Sequence, residues 1–98
     1  MEYTHPEALV TTDWLAENLG ASDISIVDAS FHLPAAQRNS AVEFAACHIP
    51  GAVFFDIDDI SDSETDLPHM LPSAEKFSSR MRRLGIGSES HVLCYDSN

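Results

Sequence analysis

The sequence predicts an α/β fold, a parallel sheet flanked by helices, and three observations predict it. Short apolar and β-branched runs recur along the chain as "DISIVDAS", "AVFFDI" and "SHVLCYD". Segments with helical start and stop signals lie between them. Strands separated by helices are joined by crossovers, which run neighbouring strands parallel and set the helices on the sheet faces. The length, 98 residues at 44% hydrophobic content, suits one modest core and excludes a second complete domain.

The first element is a short helix over about residues 12–19. "VTTDWLAENLG" supplies a threonine N-cap, Asp13 in the first turn, apolar Trp14, Leu15 and Leu19, and Gly20 as a stop. Ile24, Ile26 and Val27 then form a compact run ending in Asp28, the pattern of a buried strand opening into a loop. "NSAVEFAA" suits a short helix limited by Pro50, since the residue before proline is pushed out of the helical region. "AVFFDI" reads as a second buried strand. "DDISDSETDLPHMLPS" is acid-rich and carries two prolines, so it predicts a long irregular, solvated loop.

A stronger helical signal follows over about residues 74–84. Ser73 is the N-cap, Glu75 lies in the first turn, and Phe77, Met81 and Leu84 share one face. Arg80, Arg82 and Arg83 suit the negative end of the helix dipole, and Gly85 stops it. "SHVLCYD" predicts the third strand at about 91–95. The chain then stops at "YDSN", where the carboxyl ends of strands in open α/β sheets form ligand crevices. A domain incomplete at its C-terminus is the expectation.

Sixteen acidic and five basic residues give a formal charge of -11, which repels phosphate backbones and anionic lipid. Nucleic-acid and membrane partners are therefore not expected. The N-terminus lacks a basic stretch followed by an apolar one, and apolar runs are too short for a bilayer span. Two cysteines in apolar surroundings fit a reducing compartment, with the cytoplasm as the expected location. No metal or cofactor is expected: His69 and His91 are isolated, and no CxxC, HxxxH, HExxH, calcium-loop or phosphate-loop spacing occurs.

In "FAACHIPGAVFF", Cys47 and His48 are adjacent. Helical neighbours point about 100° apart, so they do not face each other as nucleophile and base. Cys47 also falls at a helix C-terminal end, where the dipole disfavours a thiolate, and it reads instead as a buried or half-buried spacer. His48 can bond the unsatisfied carbonyls of the last turn or serve a site. Gly51 permits a turn that a Cβ would resist, and Ala52 is small enough to enter the sheet closely.

The run Phe44, His48-Ile49-Pro50-Gly51-Ala52 and Phe55 resembles the N-terminal signature of the rhodanese (sulfurtransferase) family. "VDAS", "RNSAVEF", "FFDIDDISD", "LPHMLPSAEKF", "LGIG" and "HVLCYD" extend the likeness, in order, along nearly the whole chain. They are similar to the first domain of two-domain 3-mercaptopyruvate and thiosulfate sulfurtransferases. The resemblance implies a non-catalytic first domain spanning residues 1–98, partnered by a C-terminal rhodanese domain. That second domain carries a cysteine at a strand end, which takes sulfur from a small-molecule donor as a persulfide and passes it to cyanide or a thiol. No cofactor is implied.

The resemblance puts Asp96 at the position of that cysteine, so no catalytic residue is expected in this chain. Cys94, two residues earlier, is expected in the core of the sheet. Arg38 and His48 match family positions near the cleft between domains and are the substrate-cleft candidates. For Arg38 an ion pair with a carboxylate such as Glu43 is the alternative. Asn39 stands where some relatives have aspartate, which weakens an Asp–His relay. Two other functions fit less of the sequence: a stand-alone inactive binding module, and a phosphatase or persulfide carrier using Cys47.

Overall fold

The computed structural model describes residues 8–97. Its elements run α1 (Thr12–Asn18), β1 (Ile24–Asp28), a 3-10 turn (Pro34–Ala36), α2 (Ser40–Ala46), β2 (Val53–Phe54), α3 (Ile57–Ile60), α4 (Ala74–Arg83) and β3 (His91–Tyr95). The three strands form one parallel sheet in the order β2-β1-β3, so β1 is central. This is the α/β architecture expected, with the helix starts where the capping residues put them.

Each helix start is held by a side chain. Thr11 accepts from the Trp14 amide, Asn39 from Val42, and Ser73 from Lys76. Such caps satisfy amide donors that the helix itself leaves open. At the end of α4, Gly85 at φ +80° permits two further bonds, Gly85 N–H to Arg82 and Ile86 N–H to Met81. That pattern closes the helix by a left-handed turn, which a residue with a Cβ would resist.

Ile26, Val27, Ala52 and Ile60 are the buried apolar residues among those described. The register Ile26↔Leu93 and Val27↔Cys94 puts alternate residues of β1 and β3 on opposite faces. Trp14 of α1 meets His91 edge-on at 6.2 Å, and Phe44 of α2 lies 5.6 Å from Phe54. His91 and Phe54 lie in register with Ile24 and Asp28 of β1, so α1 and α2 pack on the same face of the sheet.

Three expectations need correction. The "AVFFDI" strand is only Val53–Phe54, because Asp56 accepts from the amides of Asp58 and Asp59 and starts the one-turn helix α3. An aspartate that caps this way draws the backbone out of the extended state. Cys94 is exposed rather than in the core, since β3 is an edge of the described sheet and its Val92–Cys94 face stays open. Cys47 is also exposed: it is the C-cap of α2, in extended backbone (φ -160°), where the chain leaves the helix.

Candidate functional site

Parallel pairing brings the carboxyl ends of all three strands to one rim, where Phe54, Asp28 and Tyr95 lie in register across the sheet. Polar groups buried at this rim are all hydrogen-bonded, as burial requires. Asp28 is 6% exposed and accepts the Ser30 amide at 2.9 Å through Oδ1. Ser30, 4% exposed, accepts the Ser97 amide at 2.9 Å and lies 3.1 Å from the Ser97 hydroxyl. The Ala29 amide donates to the Tyr95 carbonyl at 2.8 Å, and the Phe55 amide to Asp28 at 2.9 Å. The exposed Asp96 sits within this stitched corner, between Tyr95 and Ser97.

The segment from the end of β1 through α2 carries the second part of the site. Arg38 binds Glu43 in a fork, Nε to Oε2 at 2.9 Å and a terminal nitrogen to Oε1 at 2.8 Å. Glu43 Oε1 also lies 3.3 Å from Nε2 of His32, whose side chain is only 5% exposed. The hydrogen bond from Arg38 lowers the Glu43 carboxyl below its ordinary range, with help from the guanidinium charge and His32. The same bond raises the Arg38 guanidinium, so the pair stays ionised. Asn39 uses its side-chain oxygen to cap α2 at Val42, and no relay to His48 is built from it.

His48 follows α2. Its Nδ1 lies 2.7 Å from the Phe44 carbonyl, and its ring stacks on Phe44 at 3.9 Å and 11°. A carbonyl can only accept, so Nδ1 carries the proton and, in the neutral ring, Nε2 holds the basic lone pair. The next residues form a tight turn: Ala52 donates to the Ile49 carbonyl at 2.9 Å, with Gly51 at φ +83°. Proline followed by a positive-φ glycine is the type II pattern. The Ile49 amide donates to the Tyr95 hydroxyl at 3.2 Å, tying this turn to β3. Burial pushes the Tyr95 phenol above its ordinary value, and the Asp28 carboxylate and Cys47 add to the rise against the opposing Ile49 amide.

Residues 11–98 match the rhodanese-like domain family. The chain belongs to that family. It is 48% identical over 90 residues to thiosulfate/3-mercaptopyruvate sulfurtransferase 1, mitochondrial, of Arabidopsis thaliana, covering 92% of this chain and 24% of that protein. It is 48% identical over 88 residues to the 3-mercaptopyruvate sulfurtransferase of Escherichia coli K12, covering 89% and 31%. The crystal structure of SseA, a 3-mercaptopyruvate sulfurtransferase from Escherichia coli, superposes with a TM-score of 0.84 at 47% identity, covering 91% of this chain and 34% of that one. The chain thus spans about a quarter to a third of the length of the relatives it matches.

In this rhodanese-like domain, Arg38 and His48 bracket α2, whose seven residues span about 10 Å at 1.5 Å each. The fold therefore joins them through the helix and not by direct contact. Both alternatives raised for their local structure are present: the Arg38–Glu43 pair and the His48 bond to the helix end. Sequence reasoning missed His32, Ser30 and Tyr95. The signal for the last two was available, because polar residues just past or at the ends of parallel strands face the crevice rim. Among the described residues no cluster of three His, Cys, Asp or Glu side chains could hold a metal ion, and no helix is long and apolar enough to cross a membrane.

Proposed function

We propose that this chain is the N-terminal, non-catalytic rhodanese-like domain of a cytoplasmic sulfurtransferase. The full protein moves sulfur from 3-mercaptopyruvate or thiosulfate to a thiophilic acceptor such as cyanide or a thiol. A cysteine of a second rhodanese domain carries the sulfur as a persulfide. One observation carries the division of labour: the residue that follows β3 at the sheet rim is Asp96, and a carboxylate has no sulfur with which to form a persulfide. Neither cysteine sits there, since Cys94 lies inside β3 and Cys47 caps α2. The open Val92–Cys94 face supports a sheet whose face is covered by further chain.

On this reading Arg38 and His48 border the cleft between the domains. His48 offers Nε2 to substrate or to the catalytic loop. Arg38 spends two of its five N–H groups on Glu43 and retains three for an anionic donor.

The test is thiocyanate formation from cyanide with each donor. The isolated 98-residue chain is expected to show no turnover, and the protein extended through a second rhodanese domain is expected to turn over. Activity in the isolated chain that Cys47→Ser or Cys94→Ser abolishes would overturn the proposal and return the chemistry to these cysteines.

A further inference from the structure

We propose that Tyr95 is a positioning residue for His48, acting through the single hydrogen bond from the Ile49 amide to the Tyr95 hydroxyl. The inference rests on the cleft role proposed for His48 and adds a residue to it. His48 is held from both sides. On its N-terminal side the ring is fixed to α2, by the Nδ1 bond to Phe44 and by the stack on the Phe44 ring. Helix ends fray, so these two contacts alone leave the ring and the last turn free to open together. On its C-terminal side, Ile49 is fixed through both backbone groups. Its carbonyl accepts Ala52, and its amide donates to Tyr95, 46 residues away on the neighbouring strand system.

Tyr95 is suited to this task because it is itself held. Its carbonyl accepts the Ala29 amide, and it pairs in register with the buried Asp28. With its backbone fixed in the sheet and its side chain half-buried, Tyr95 holds its hydroxyl as a post that accepts the Ile49 amide. The chain between the post and the Gly51 turn is two residues long, and His48 directly precedes it. The distance from sheet to imidazole is therefore set by Tyr95, which also keeps closed the last turn in which Phe44 sets the imidazole plane and tautomer.

The experiment uses the full-length protein and Tyr95→Phe, which keeps the ring and removes only the hydroxyl. In the wild type, the Ile49 amide is expected to exchange slowly with deuterium, and 15N-histidine spectra to show His48 protonated on Nδ1. In Tyr95→Phe the His48 signals are expected to shift toward a mixture of tautomers. kcat is expected to fall about tenfold with little change in KM, because displacement of a positioned group forfeits proximity. Coupled residues are non-additive, so in a His48→Gln background the same change is expected to cost nothing further. A His48 spectrum unchanged by Tyr95→Phe, unprotected Ile49 exchange in the wild type, or rate losses that multiply would each overturn the proposal. Full turnover by His48→Gln alone would instead remove the cleft role of His48, with the spectra still reporting whether Tyr95 holds the ring.

Discussion

Two regions of this domain carry sets of side-chain hydrogen bonds, and they differ in how their polar groups are satisfied. At the sheet rim, Asp28 and Ser30 are nearly inaccessible and the bonds join distant parts of the chain, Ser30 to Ser97 and Ile49 to Tyr95. In the segment 56–72, carboxylates mostly cap their own backbone two or three residues on, as Asp56 does for Asp58 and Asp62 for Glu64. Its longer ion pairs are made at the surface, where the Asp58 side chain is 75% exposed opposite His69 and the Asp59 side chain 50% exposed opposite Arg80. Water competes for exposed groups and cannot reach buried ones, so loss of a rim partner leaves an unmet bond and loss of a loop partner does not. Density of charge in the sequence therefore points to the wrong region. Burial combined with long sequence separation points to the rim.

The sharpest way to break this comparison is to test both cleft candidates for rate and stability at once. In the full-length protein, His48→Gln and Arg38→Gln are each expected to lower turnover about tenfold to a hundredfold, since groups that orient reacting atoms cost that much when lost. Melting temperature is expected to change little for Arg38→Gln, because its pair with Glu43 is at the surface, the two side chains being 44% and 38% exposed. Variants that melt lower but turn over normally would reduce both residues to helix-end supports.

A step smaller is Asp28→Ala. The substitution strands the Ser30 amide in a buried place, and an unmet buried donor costs about 2 kcal/mol. The urea midpoint is expected to fall accordingly, with the slope unchanged. The matched change in the loop, Asp59→Ala, removes an exposed partner of Arg80 and is expected to shift the midpoint far less. Equal shifts would erase the distinction between the two regions.

Much of this was legible in the sequence, and the reasons are local. Thr11, Ser73 and Gly85 act on the backbone within three or four residues, so their helix ends can be read without the fold. β1 and β3 begin and end where the apolar runs do. The burial of Cys94 was misjudged because a strand's pattern reveals its two faces and not whether it is central or at an edge. The shortness of β2 was missed because Asp56 looks like any strand-end residue until it is seen accepting two amides. Tyr95 and His32 were missed for the opposite reason: their partners lie 46 and 11 residues away, and only the fold brings them together.

The smallest expected effect is in the acidic loop, where Asp62→Ala and Glu64→Ala should leave turnover unchanged and stability within about 0.5 kcal/mol of the parent. Asp62 accepts the Glu64 amide at 3.0 Å in an exposed turn, so water replaces the lost carboxylate directly. The sign can even favour the variants. With a formal charge of -11, each carboxylate removed lessens the self-repulsion of the compact state, and that gain offsets part of the lost turn bond. Added salt screens the repulsion, so any stabilisation should shrink as ionic strength rises past the point where the Debye length is about 10 Å. The check is a urea midpoint at low and high salt, together with thiocyanate turnover in the full-length protein. A tenfold loss of turnover in either variant would place substrate contacts in the loop and overturn the contrast between the loop and the rim.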